Sequence, residues 1–155
     1  MAIEIEHKFL LANENWRQQV HKSVLFRQGY LSSETTSSIR VRISDKTAWL
    51  NIKSATIGTE RHEFEYEIPL LDANEILDML CKKPIIEKMR HYVHFNDKLW
   101  EIDEFYGVNK GLIVAEIELS DINEVFTRPE WVGDEVTHDI RYYNNNLVVY
   151  PYSNW

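Results

Sequence analysis

Six short stretches of the chain space ionisable side chains two residues apart: Glu4-x-Glu6-x-Lys8, Arg40-x-Arg42, Glu63-x-Glu65, Lys88-x-Arg90, Glu101-x-Asp103 and Glu116-x-Glu118. On an extended strand, residues two apart point to the same side. Each group therefore projects its charges together. Paired carboxylates are the hard oxygen ligands that Mg²⁺ and Mn²⁺ take, and no Cys/His cluster suggests zinc. Paired arginines grip phosphate oxygens bidentately, while a lysine such as Lys53 adds a mobile point charge. Acidic and basic groups of this kind in one chain suit a complex of divalent cation and phosphate polyanion.

The residues between the charges are apolar, which makes each stretch a β-strand with two different faces. The strand Ile3-Glu4-Ile5-Glu6-His7-Lys8-Phe9 is the first, and Ser38–Ile43, Trp49–Lys53, Glu63–Ile68, Ile86–Phe95, Leu99–Asp103 and Ala115–Leu119 follow. Taken singly, each charged face is what any half-buried sheet turns to water. Taken together, the charges are sorted by strand, and the Thr, Ser and Gln of an ordinary wet face are scarce among them. At least seven such strands are enough to close a barrel. A barrel that keeps charge inside must be wide and wet, with helices covering its apolar outer face. Unpaired buried carboxylates would cost several kcal/mol each or protonate. Cations between the acids and a polyanion against the bases would neutralise both sets.

The covering helices are expected at Asn13 to about Val24, behind an Asn cap, and at Asp72–Lys82, behind a capping box of Asp72 and Glu75. A short helix is expected from Asp121 to Glu124, and a weaker pattern runs from Asp139 to Val148. Loops are expected at residues 32–37, 56–60 and 106–111. Short connections between strands make this an antiparallel, β-rich α+β domain.

At 155 residues, 44% hydrophobic and 27% charged, the chain reads as one globular domain spanning residues 1–155. No apolar run approaches the ~20 residues of a membrane span, so no membrane association is expected. Acids stand where a signal peptide needs a basic region, and the single Cys81 cannot form an internal disulfide. A cytoplasmic location and a buried structural thiol are the expectations. The net charge of −8 argues against a broad nucleic-acid surface but not against a local basic site. No GxxxxGK loop is present. His91 and His94 fall on opposite strand faces, His62 and His138 read as surface residues, and Trp16, Trp49, Trp100 and Trp131 read as packing.

In order along the chain stand Glu4-x-Glu6-x-Lys8, Gln28-Gly29-Tyr30-Leu31, Arg40-x-Arg42, Lys53, Arg61-x-Glu63-x-Glu65, Lys88-x-Arg90, Trp100-Glu101-Ile102-Asp103, Glu116-x-Glu118 and Arg141-Tyr142-Tyr143-Asn144. This series, from residue 3 to about 147, resembles the CYTH superfamily, the triphosphate tunnel metalloenzymes, in its short bacterial branch. The resemblance implies an eight-stranded antiparallel β-barrel tunnel with a charged interior and helices packed outside. It implies that Glu4, Glu6, Glu116 and Glu118 hold Mg²⁺ or Mn²⁺, two ions per site. Lys8, Arg40, Arg42, Lys53, Lys88 and Arg90 would bind phosphate oxygens. Glu63, Glu65 and Asp103 would add ligands or accept a proton, and spacing does not choose among them. Lys8 counts with them as catalytic.

The activity expected is metal-dependent hydrolysis of a triphosphate, inorganic triphosphate first. Within the class, a nucleoside or thiamine triphosphatase and a class IV adenylyl cyclase are the alternatives. A non-catalytic polyphosphate-binding module is the alternative outside it, and homodimerisation is left open. In this family the C-terminal segment can close one mouth of the tunnel, and the short aromatic end from Leu147 to Trp155 departs from the family pattern.

Overall fold

The computed structural model describes residues 3–34, 36–54 and 58–155. Its strands are β1 (Ile3–Leu11), β2 (Val20–Ser33), β3 (Ser37–Ser44), β4 (Thr47–Ser54), β5 (Glu60–Ile68), β6 (Ile86–Phe95), β7 (Lys98–Phe105), β8 (Ile113–Leu119) and β9 (Val132–Glu135). Eight of them form a closed antiparallel ring in the order β5-β4-β3-β2-β6-β7-β8-β1. Ile3, Glu4 and Ile5 of β1 seal it by pairing with His62, Arg61 and Glu60 of β5. The short β9 pairs with the other end of β1, beyond the ring. Two α-helices, α1 (Leu70–Met79) and α2 (Asn144–Val149), lie outside the sheet.

Strand alternation sends charge inward and most apolar side chains outward. The buried apolar side chains gather into three clusters, two on the outside of the ring and the third, whose strand residues stand opposite lumen residues, closing one end of it. Phe9, Trp100 and Ile117 pack with Trp16 and Trp131 under a 3₁₀ turn at Asn15–Gln19 and the segment leading to β9. Val41, Ile43 and Ala48 pack with Ala73 and Leu77 of α1 and with the buried thiol of Cys81. Phe105, Leu112, Val114, Ile86 and Tyr30 pack with Tyr142, Leu147 and Val148 of the C-terminal segment. That third cluster lies where β1 and β7 finish and β6 and β8 begin, so the C-terminal segment packs across one end of the barrel. Fully burying each such Leu, Phe or Val contributes about 1.5–3 kcal/mol. The outer face of β5 departs from the expected cover, because Phe64 and Tyr66 there are exposed.

Three expected helices are corrected. The helix expected over residues 13–24 is a 3₁₀ turn at Asn15–Gln19 followed by β2. β2 is laddered on both sides, by β3 and by β6, and a register shift between Val20 and Lys22 interrupts its alternation. Local pattern thus lost to strand pairing. Asp121–Glu124 is a turn, not a helix; the Glu124 carboxylate accepts from the backbone N–H and hydroxyl of Ser120. The stretch from Asp139 to Val148 splits into a 3₁₀ turn at Ile140–Tyr142 and α2, parted by an extended Tyr143. α1 starts two residues before Asp72, directly after Pro69, and no side chain caps it. Proline fixes φ for helix entry, which makes the expected box unnecessary. Of the loops expected at 32–37 and 56–60, residues 35, 56 and 57 lie outside the described residues. Among the described residues no helix is long and apolar enough to cross a membrane.

Gly29 marks where β2 passes closest to the end of α1. A Cβ there would sit 2.8 Å from Cys81 Cβ and 3.0 Å from Leu77 Cδ2, closer than packed atoms approach. Gly29→Ala is therefore expected to cost about 1–3 kcal/mol of stability, the usual penalty of overpacking, in urea or thermal unfolding.

Candidate active site in the barrel lumen

The ring encloses a cavity of about 660 Å³. Glu4, Glu6 and Lys8 enter it from β1, Arg40 and Arg42 from β3, and Lys53 from β4. Arg61, Glu63 and Glu65 enter from β5, Lys88 and Arg90 from β6, Glu101 from β7, and Glu116 and Glu118 from β8. Tyr143, Asn144, Asn145 and Asn146 of the C-terminal segment line it as well. The sequence places each of these side chains by alternation, and the strand register brings them together. Glu6 stands opposite Glu118, Lys8 opposite Glu116, Glu116 opposite Glu101 and Lys53 opposite Glu63.

Ion pairs cross the lumen. Lys53 Nζ lies 3.3 Å from Glu4 and 3.2 Å from Glu63. Arg61 lies 3.0 Å from Glu6, and Lys8 lies 3.5 Å from Glu116. Arg90 bonds Glu101 at 2.8 Å. Of the expected site residues, Asp103 alone stands behind the cavity wall. Its carboxylate accepts from Lys88 Nζ, Arg90 Nε and Arg90 Nη2 at 2.8, 2.8 and 2.9 Å. Burial opposes its ionisation, but the charges of Arg90 and Lys88 hold it well below the usual carboxylate range.

Two features leave charge uncompensated. No carboxylate lies within ion-pair distance of Arg42 among the described residues. Its Nε donates to Gln28 Oε1, and burial together with Arg40 and Arg90 pulls its guanidinium down to about 9. The buried Nε of neighbouring Arg40 has no hydrogen-bond partner among the described residues. These groups present donors to an anion. On the acidic side, Glu118 has no ion-pair partner among the described residues. Burial, and then Glu4, Glu101, Glu6 and Glu63, push it up to about 7. A carboxylate so crowded by others is relieved by a cation. Glu4, Glu6, Glu116 and Glu118 are thus a donor set that fits a hard divalent ion, although among the described residues no three acids or histidines already converge as a ligand shell.

Several lumen residues stand outside the expected set. Arg61 and Glu101 were legible in the same alternation as Glu63 and Asp103. Gln28 and Asn144 carried no such signal. Asn144 Oδ1 accepts from both Lys88 Nζ (2.8 Å) and Gln28 Nε2 (3.0 Å), so the C-terminal segment braces two of the bases. Asn51 donates to Glu65 at 2.7 Å. The remaining histidines stay out of the lumen chemistry: His91 bonds Ser23 and Glu104, and His94 stacks on His21.

Comparison with known proteins agrees with this geometry. The CYTH domain family matches residues 2–150. The chain is 48% identical over 155 residues to the inorganic triphosphatase of Acetivibrio thermocellus, covering 100% of this chain and 99% of that one. It is 35% identical over 150 residues to the inorganic triphosphatase of Nitrosomonas europaea, covering 94% and 97%. A crystal structure of an inorganic triphosphatase superposes with a TM-score of 0.69 at 31% identity, covering 96% of each chain.

Asp103→Asn would leave two buried cations without their shared counter-ion, a loss of about 3–5 kcal/mol at neutral pH. A depressed carboxylate contributes stability above the unfolded value near ~4 and loses it as pH falls below that. Urea titrations from pH 7 down to pH 2 should therefore show the gap between wild type and variant narrowing in acid.

Proposed function

The chain belongs to the CYTH domain family, and we propose on that premise that it is a divalent-metal-dependent enzyme hydrolysing inorganic triphosphate to pyrophosphate and phosphate. The observation that carries the choice is the makeup of the lumen. Among the described lining residues only Tyr30, Ile140 and Tyr143 are aromatic or aliphatic, and Lys8 and Arg61 already lie over the Tyr143 ring. Such a wall recognises phosphates and offers little to a nucleobase or a thiazole. That both curated relatives bear the name inorganic triphosphatase supports the same reading.

In this reading Arg40, Arg42, Lys53, Lys88, Arg90 and Lys8 bind the phosphate oxygens. Among the described residues Arg40 Nε has no hydrogen-bond partner and Arg42 has no carboxylate partner, so both are ready for the anion. Asp103 acts through its two partners, fixing Lys88 and Arg90 so that their remaining N–H groups face the substrate. Charge moving onto the departing pyrophosphate meets preorganised cations and needs little reorganisation. Glu4, Glu6, Glu116 and Glu118 would hold Mg²⁺ or Mn²⁺, as two ions, which when bound supply charge neutralisation and acidification of the attacking water. Glu65 takes the proton of that water. Its Oε2 is held by Asn51, and no cation pairs with it among the described residues, so Oε1 is free to accept. Glu63 is the weaker base, because Lys53 and Arg40 keep its carboxylate ionised against the opposing effect of burial.

Phosphate release from tripolyphosphate, ATP and thiamine triphosphate, each with Mg²⁺, Mn²⁺ or EDTA, tests the proposal. Rapid release from tripolyphosphate that EDTA abolishes is expected, and release chiefly from ATP or thiamine triphosphate would displace the substrate assignment. Two variants separate the roles. Glu4→Gln should lower activity at least tenfold at low metal and recover in part with excess Mn²⁺. Arg40→Ala should raise the half-saturating tripolyphosphate more than tenfold, the scale of a lost charged hydrogen bond, with no such recovery.

A further inference from the structure

We infer that Arg61 and Lys53 are internal counter-ions that occupy the carboxylates Glu4 and Glu6 until a divalent cation displaces them, coupling metal binding to triphosphate binding. The inference rests on Glu4 and Glu6 being metal ligands, as proposed above. Arg61 Nη2 lies 3.0 Å from Glu6 Oε1 and 4.0 Å from Glu4 Oε1. Lys53 Nζ lies 3.3 Å from the other oxygen of Glu4. Arg61 and Lys53 thus hold two acids of the donor set, as Lys8 holds a third, Glu116, at 3.5 Å.

The position of Arg61 is built rather than incidental. It sits at the seam of the barrel, directly opposite Glu4 in the β1–β5 register. Its guanidinium lies over the Tyr143 ring at 5.5 Å. That ring is fixed at its hydroxyl, which donates to the Thr137 carbonyl oxygen at 2.9 Å and accepts from Gly58 N–H at 3.0 Å. An arginine guanidinium stays protonated in proteins, so Arg61 is a cation here.

Mg²⁺ and Mn²⁺ demand a near-octahedral oxygen shell, and among the described residues no three acids converge as one. To assemble it, Glu4 and Glu6 must leave Arg61 and Lys53. Once released, Arg61 needs an anion and Lys53 keeps only Glu63, and a triphosphate in the lumen supplies the missing charge to both. Conversely, a polyanion that draws Arg61 and Lys53 toward itself frees the two acids for metal. Such coupling is reciprocal by thermodynamic necessity: each ligand tightens the other by the same factor. The arrangement disfavours either ligand alone and favours the two together.

The test measures Mn²⁺ binding alone, without triphosphate, from the electron paramagnetic resonance signal of free Mn²⁺. Arg61→Gln removes the counter-ion and should bind Mn²⁺ at least tenfold more tightly than wild type. Arg61→Lys retains the charge and should stay within threefold of wild type. The reciprocal measurement is calorimetry of tripolyphosphate in EDTA, where Glu6→Gln, by freeing Arg61, should tighten binding at least fivefold. Unchanged or weaker Mn²⁺ binding by a folded Arg61→Gln overturns the inference. If that variant does not fold, unchanged tripolyphosphate binding by Glu6→Gln overturns it instead. Metal-dependent phosphate release by wild type alongside either result means that the inference alone has failed. Wild type that releases phosphate equally well in EDTA overturns the functional reading itself.

Discussion

A closed sheet with charge on its inside must neutralise that charge within its own walls, and the rest of the structure follows from this requirement. Most apolar side chains have been sent outward, so the middle of the barrel has no apolar core. Stability comes from two clusters outside the ring, roofed by the 3₁₀ turn with Trp16 and by helix α1, and from a third that plugs one end of the barrel under the C-terminal segment. Inside, bases and acids are matched nearly one to one, and the few that are not matched mark where ligands belong. Buried ion pairs stabilise little once their desolvation is counted. Their worth here lies in holding a dozen long side chains in one arrangement.

The C-terminal segment does two jobs that depend on each other. Leu147 and Val148 bury themselves against the ends of β7 and β8, and that packing carries Asn144 to the rim of the lumen. From there one amide oxygen steadies Lys88 and Gln28, and Gln28 in turn orients Arg42. The basic wall of the lumen is thus braced by a part of the chain that belongs to no barrel strand.

Much of this was legible in the residue pattern, and the reasons are physical. Period-two alternation is a direct imprint of a sheet, so β1 and β3 to β8 could be read within three residues of their ends. Sorting of charge by strand pointed to a lumen, because water has no reason to sort it. β2 was hidden by the register shift after Val20, which breaks its alternation in the sequence but not its ladder in space. Asp103 could be assigned to the charged face, yet not to its place behind Lys88 and Arg90, since depth within a wall leaves no periodic trace. Gln28 and Asn144 stood out only in the family resemblance, with no role attached, for a related reason: an uncharged amide acquires its role only from partners distant in sequence.

The seam between β1 and β5 has a bearing on how the molecule comes into being. The first strand of the chain is the one that completes the ring, and its principal ladder is with β8, where Ile5 pairs with Leu119. A nascent chain therefore carries Glu6 and Lys8 without their β8 partners, Glu118 and Glu116, until nearly the whole barrel has been made. Pairings so remote in sequence are slow to form and tend to form together. The acids that β1 and β8 contribute to the lumen therefore come together only when the ring closes.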